Sequence, residues 1–139
     1  MKKLTYIFFC LSMAAFGQNT LIPDPNFEQA LIDLGYDTAP INGSVPTANI
    51  SAVTDLDVND KNIADLTGIE DFTALTSLDC SDNQLTSLFV SNNQLTILFV
   101  SNNQLTSLDV SSNTALTGLR CENNQLTSLD VSNNNALSG

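Results

Sequence analysis

From Leu75 onward the chain repeats one phrase. It runs LTSLDCSDNQ, LTSLFVSNNQ, LTILFVSNNQ, LTSLDVSSNTA, LTGLRCENNQ, LTSLDVSNNNA and then LSG. The phrases begin at Leu75, Leu85, Leu95, Leu105, Leu116 and Leu126, with a further start at Leu137. A fixed short period means that each unit stacks on copies of itself, so the chain should form a solenoid. Folds of this kind display a surface rather than enclose a catalytic pocket. The repeat therefore points to binding and leaves the partner open.

Within each phrase positions one, four and six are apolar, as in Leu95, Leu98 and Val100. Positions three, five and seven are mostly small or polar, and such alternation marks a short strand with one buried face. Position nine is Asn in every phrase: Asn83, Asn93, Asn103, Asn113, Asn124 and Asn134. An Asn side chain both donates and accepts, so a stacked column of them can satisfy backbone groups that a bend leaves unpaired. Thr at position two falls at the strand entry and is expected to serve the turn. Two extended legs and two turns hardly close around leucines in ten residues. The alternation of ten and eleven instead suggests a 21-residue coil made of two similar halves. Each half would supply one strand and one turn, which predicts short parallel strands on both sides of each coil.

Ahead of the repeats, Asp24 and Pro25 suit the N-cap and first position of a helix. Phe27, Ala30, Leu31 and Leu34 come next at helical spacing, and Gly35 suits a left-handed end. A short amphipathic helix is expected over 24–34, then a loop over 36–48. Val53, Leu56, Val58 and Ile63 begin the first coil, with Lys61 at the Asn position.

LTSLDCSDNQLTSLFV resembles the leucine-rich-repeat frame L-x-x-L-x-L-x-x-N-x-L. The alternating phrase lengths resemble the nested-period, 21-residue bacterial class of that repeat. IPDPNFEQAL and DLTGIEDF resemble the N-terminal caps and first repeats of internalin-like surface proteins. The resemblance spans about Ile22 to the end. It implies a leucine-rich-repeat solenoid, mainly β and loop, with an N-terminal helical cap over 18–49 and repeats over 50–139. About four coils are expected, uncapped at the C-terminal end and continuing in a longer natural protein.

Lys2 and Lys3, the apolar run Leu4 to Ala15 and the small-x-small site Ala15-Phe16-Gly17 form a signal peptide over 1–17. The expected location is secreted or at the bacterial cell surface, with no membrane insertion after cleavage. The whole chain carries a net charge of −11. Cleavage removes two lysines and no acid, leaving fifteen acids against Lys61 and Arg120, a net charge of −13. That charge repels phosphate backbones and anionic membrane surfaces, so nucleic acid is not expected as a partner.

The chain has no histidine and no tryptophan, and the missing histidine removes the commonest general base and metal ligand. No enzyme, cofactor or metal is expected. The acidic segment 55–60 lacks the glycine a calcium loop needs, and Leu66 stands where the closing Glu belongs. Cys80 and Cys121 share one inward column two coils apart. Their separation, about 9–10 Å from the strand spacing, exceeds disulfide reach. Two free, buried thiols are therefore expected.

Outward positions three and five are where a leucine-rich repeat meets its partner. Three large apolar residues break the Ser/Asp pattern there: Phe89, Ile97 and Phe99. These are the candidate contact residues, although two-sided coils would put Phe89 and Phe99 on opposite faces. The expected function is non-catalytic recognition of a protein or glycan at the cell surface. The alternative is a structural spacer or stalk segment, which the near-identity of the phrases favours. The uncapped end also predicts end-to-end self-association.

Overall fold

The computed structural model describes residues 17–91 and 94–138. Almost all of the expected signal segment, and Asn93 of the asparagine column, lie outside the described residues.

Asp24 begins the N-terminal helix. One oxygen of its carboxylate accepts from the N–H groups of Asn26 and Phe27, at 2.8 and 3.2 Å. With Pro25 as the first residue, helix α1 runs Pro25–Asp33. Phe27, Ala30 and Leu31 are buried, as the periodicity predicts. Leu34 is 46% exposed rather than on that face. It is the C-cap residue, and Gly35 at φ +82° turns the chain away so that Tyr36 N–H returns to Leu31 O.

The segment expected to be a loop contains structure. Strand β1, Asn19–Leu21, pairs antiparallel with β2, Ser44–Pro46, and a helical turn α2, Thr47–Ile50, comes after it. Glu28, wholly buried, holds the return of this excursion: its two oxygens accept from Asn42 and Gly43 N–H at 2.6 and 2.7 Å. These paired charge-assisted bonds offset the cost of burying the carboxylate.

Four strands form the second sheet: β3 (Asp55–Asp57), β4 (Ser77–Asp79), β5 (Ile97–Phe99) and β6 (Gly118–Arg120). They are all parallel, in the order β3-β4-β5-β6. Successive strands start 22, 20 and 21 residues apart, so one coil takes two phrases. Leu56, Leu78 and Leu98 point into the core, as do Val58, Cys80 and Val100 one step on. From the other side of the coil Leu88, Val90, Leu108 and Val110 meet them. Burial falls off in the last coil, where Leu119, Leu126 and Leu129 are half-buried and Val131 is 39% exposed.

The expectation of strands on both sides is corrected. Among the described residues, 85–90, 105–110 and 126–131 carry no strand. On the sheet side, inter-coil bonds continue past the strands: Asp60, Asp82 and Asn102 N–H donate to Ser81, Ser101 and Glu122 O. On the second side, the inter-coil backbone bonds among the described residues lie at its entry, as in Gln104 N–H to Leu85 O. The second-side phrases 105–115 and 126–136 have an extra residue, spent on turns closed by Asn113 and Asn134 N–H to Val110 and Val131 O.

The N-terminal segment is tied to the first coil by hydrogen bonds and by ring packing, and Asn26 Nδ2 donates to Asn62 O at 2.9 Å. The other oxygen of Asp24 accepts from Ala64 and Asp65 N–H at 2.7 and 2.9 Å. Thr20 Oγ1 donates to Asp71 at 2.6 Å. The rings of Phe27 and Phe72 stack with centroids 6.4 Å apart.

Candidate partner-binding face

Because strand residues alternate, the parallel register writes the outward face as two columns. One is Asp55, Ser77, Ile97, Gly118; the other is Asp57, Asp79, Phe99, Arg120. The face is thus divided. β3 and β4 present three carboxylates and a hydroxyl, while β5 and β6 present two apolar side chains and a guanidinium. Ile97 and Phe99 flank the buried Leu98 and are each half-buried. Gly118 leaves the flank of Ile97 open, since a Cβ there would stand 3.8 Å from Ile97 Cγ1. The Arg120 guanidinium lies over the Phe99 ring, 4.7 Å from its centroid. Such a contact is worth about 0.5–1 kcal/mol at an exposed site.

Ile97 and Phe99 are therefore brought together and Phe89 is not. Phe89 stands on the second side of the coil, 77% exposed. Arg120 is the residue of this face not foreseen from the sequence. Its signal was available: it occupies the position of Phe99 one coil later, and is one of two bases after residue 17.

The position-nine asparagines fall into two stacks rather than one. Asn83, Asn103 and Asn124 close the sheet-side turns. Asn103 Nδ2 donates to Cys80, Val100 and Ser101 O at 3.0–3.2 Å, and its Oδ1 accepts from Leu85 N–H at 2.9 Å. Asn83 and Asn124 repeat this pattern around Val58 and Val100 O. Asn113 and Asn134 close second-side turns, donating to Val90 and Val110 O at 3.1 and 2.9 Å. Position eight adds a column not foreseen. Asp82, Asn102 and Asn123 adopt left-handed φ of 55–56°, which Asn and Asp tolerate better than other residues with a Cβ. Their side chains join coil to coil, Asn102 to Asp82 at 2.9 Å and Asn123 to Asn102 at 2.7 Å. Thr76, Thr96 and Thr117 Oγ1 each donate to the threonine carbonyl one coil earlier, all at 3.0 Å.

Cys80 and Cys121 are free thiols on either side of Val100 in one column. Cys80 is fully buried, and desolvation, then the adjacent Asp79 charge, pushes its thiol far above the usual range. Cys121 is not buried as expected, because it lies in the last coil. Its thiol is raised, again chiefly by desolvation and secondarily by Glu122. Among the described residues, no three acids or cysteines are grouped to hold a metal ion. Asp57 instead accepts from the Asn59 backbone and side chain.

No protein-family model and no curated protein matches the chain. The chain is similar to solved structures, two of them as follows. One is the functional domain of InlJ from Listeria monocytogenes, a domain that includes a cysteine ladder. It is 38% identical with a TM-score of 0.78, over 88% of this chain and 28% of that one. The other is the internalin InlF of the same species, 25% identical with a TM-score of 0.66, over 86% of this chain and 39% of that one. The chain spans less than two fifths of either neighbour's length. What the two likenesses share with the stacked strands above is the architecture, and the chain has an internalin-like leucine-rich-repeat fold.

Proposed function

We propose that this chain is an exported, non-catalytic recognition module at the cell surface, binding a protein through the outward face of β5 and β6. The observation that carries it is the cluster of Ile97, Phe99 and Arg120 on an otherwise Ser- and Asp-rich sheet. Aromatic and arginine side chains are enriched among residues that dominate binding energy, and charged carboxylates beside them set orientation and rate. The internalin likeness supports surface protein binding as the class. Residues 18–49 serve as a cap, because α1 covers the first coil through Phe27 and Asp24. Residues 1–17 are the export signal.

Binding to arrays of purified extracellular proteins and of glycans tests the proposal. A protein captured by the wild type should be lost with Ile97→Ser, Phe99→Ser and Arg120→Ala and kept with Ser107→Ala. A glycan hit with the same residue dependence would move the ligand class. Capture that survives all three substitutions would overturn the assignment of the face, and no capture at all would favour the spacer role.

A further inference from the structure

The second side of the first coil differs from every later one. It is built from 63–72, with a 3-10 turn at Ile69–Asp71, instead of the repeated phrase. Gly68 opens that turn at φ +103°, pressed against Leu21 O and Ile22. This non-repeating segment does not nest against the phrase after it. A groove of about 580 Å³ lies between Ala64–Glu70 and Thr86–Ser91. Its lining includes the nearly buried Leu66, Ile69 and Leu88. Phe89, also in the lining, is the most exposed large apolar side chain among the described residues.

We propose that this groove is a second docking site, for a basic peptide segment that pairs an arginine or lysine with an apolar side chain. The two charged residues of the lining are Asp65 and Glu70, and no base lines it. Each carboxylate is oriented by its own turn. Asp65 Oδ1 accepts from Thr67 N–H and Oγ1 at 2.8 and 2.7 Å, and Glu70 Oε2 accepts from Gly68 N–H at 2.9 Å. The second oxygen of each is available to an incoming cation. The negative face of the Phe89 ring attracts the same cation, and the apolar lining takes the neighbouring side chain. A second copy of this chain is a poor occupant. Each copy brings fifteen acids against two bases after residue 17, and Lys61 and Arg120 lie outside the groove. A neutral glycan would stack on Phe89 but gain nothing from the carboxylate charge. This site lies on the opposite side of the coil from Ile97 and Phe99, so the proposal does not rest on the one above.

The test is backbone-amide NMR of the labelled chain titrated with acetyl-Arg-Leu-Arg-amide, acetyl-Glu-Leu-Glu-amide and a neutral oligosaccharide, cellotetraose. The arginine peptide should shift amides of Ala64–Glu70 and Thr86–Ser91 together. Phe89→Ser and Glu70→Gln should each weaken it about fivefold or more. Raising salt to ~0.5 M should weaken it severalfold. The glutamate peptide should shift nothing in this region. Shifts spread equally over Asp55, Asp57 and Asp79 would overturn the proposal, because they would show only diffuse attraction to the acidic surface. So would a groove response to cellotetraose without one to the arginine peptide.

Discussion

Leu75–Asp79 and Leu105–Asp109 are the same five residues, LTSLD, and only the first forms a strand. The difference comes from the turn after each segment and from the backbone beside it. After Asp79 the chain passes through Asp82 in the left-handed region to Asn83, and hydrogen bonds to the next coil continue around the bend. After Asp109 the turn has one more residue and closes on itself through Asn113 N–H to Val110 O, leaving an Asn side chain to cross between coils. Strand formation here is set by the partner backbone rather than by local propensity. The consequence is functional: the laddered side offers a fixed surface, and the unladdered side opens grooves.

The largest effect should come where the second side of the first coil packs tightly against the N-terminal segment. Gly68→Ala drives a Cβ into Ile22 Cδ1 and to 2.7 Å from Leu21 O, at positive φ. We expect a loss of about 3 kcal/mol or more in urea unfolding. A loss below about 1 kcal/mol would mean that the contact relaxes freely.

On the laddered side, Asn103→Ala removes the buried side chain that bridges three carbonyls and the Leu85 N–H. It should cost about 1–3 kcal/mol, whereas Ser107→Ala, exposed on the second side, should stay within about 0.5 kcal/mol. Equal midpoints for the two variants would break the comparison.

Thr96→Val keeps the shape and deletes the hydroxyl that donates to Thr76 O. About 0.5–1.5 kcal/mol should be lost, and Thr106→Val, at the same phrase position on the second side, should change stability less.

The smallest effect concerns pH. The Asp109 carboxyl accepts from Ser111, which holds it below the usual carboxylate range. A folded-state value below the unfolded one adds stability that is present above the unfolded pKa and lost as pH falls through the folded one. Asp109→Asn should therefore lower stability slightly at neutral pH and leave it unchanged at low pH, which flattens the acid limb of a urea-unfolding profile against pH.

The inward columns were legible because a strict period places Leu98 and Val100 in the core whatever the backbone does. The helix was legible from Asp24, Pro25 and the spacing of Phe27 and Leu31. Strands β1 and β2 were not, since three residues each, paired across 25 positions, leave no periodic trace. On the candidate face, Ile97 and Phe99 stood out by apolarity. Arg120 did not, because its value lies in a neighbour one coil away.

Hydrogen exchange resolved by residue tests the two-sided account most directly. Cys80, Thr96 and Val100 amides, bonded to Phe99, Thr76 and Arg120 carbonyls, should exchange slowest. Amides of Thr106, Val90 and Val110, in the same phrase positions on the second side, should exchange faster by orders of magnitude. Equal protection on both sides would show a second ladder and contradict the account.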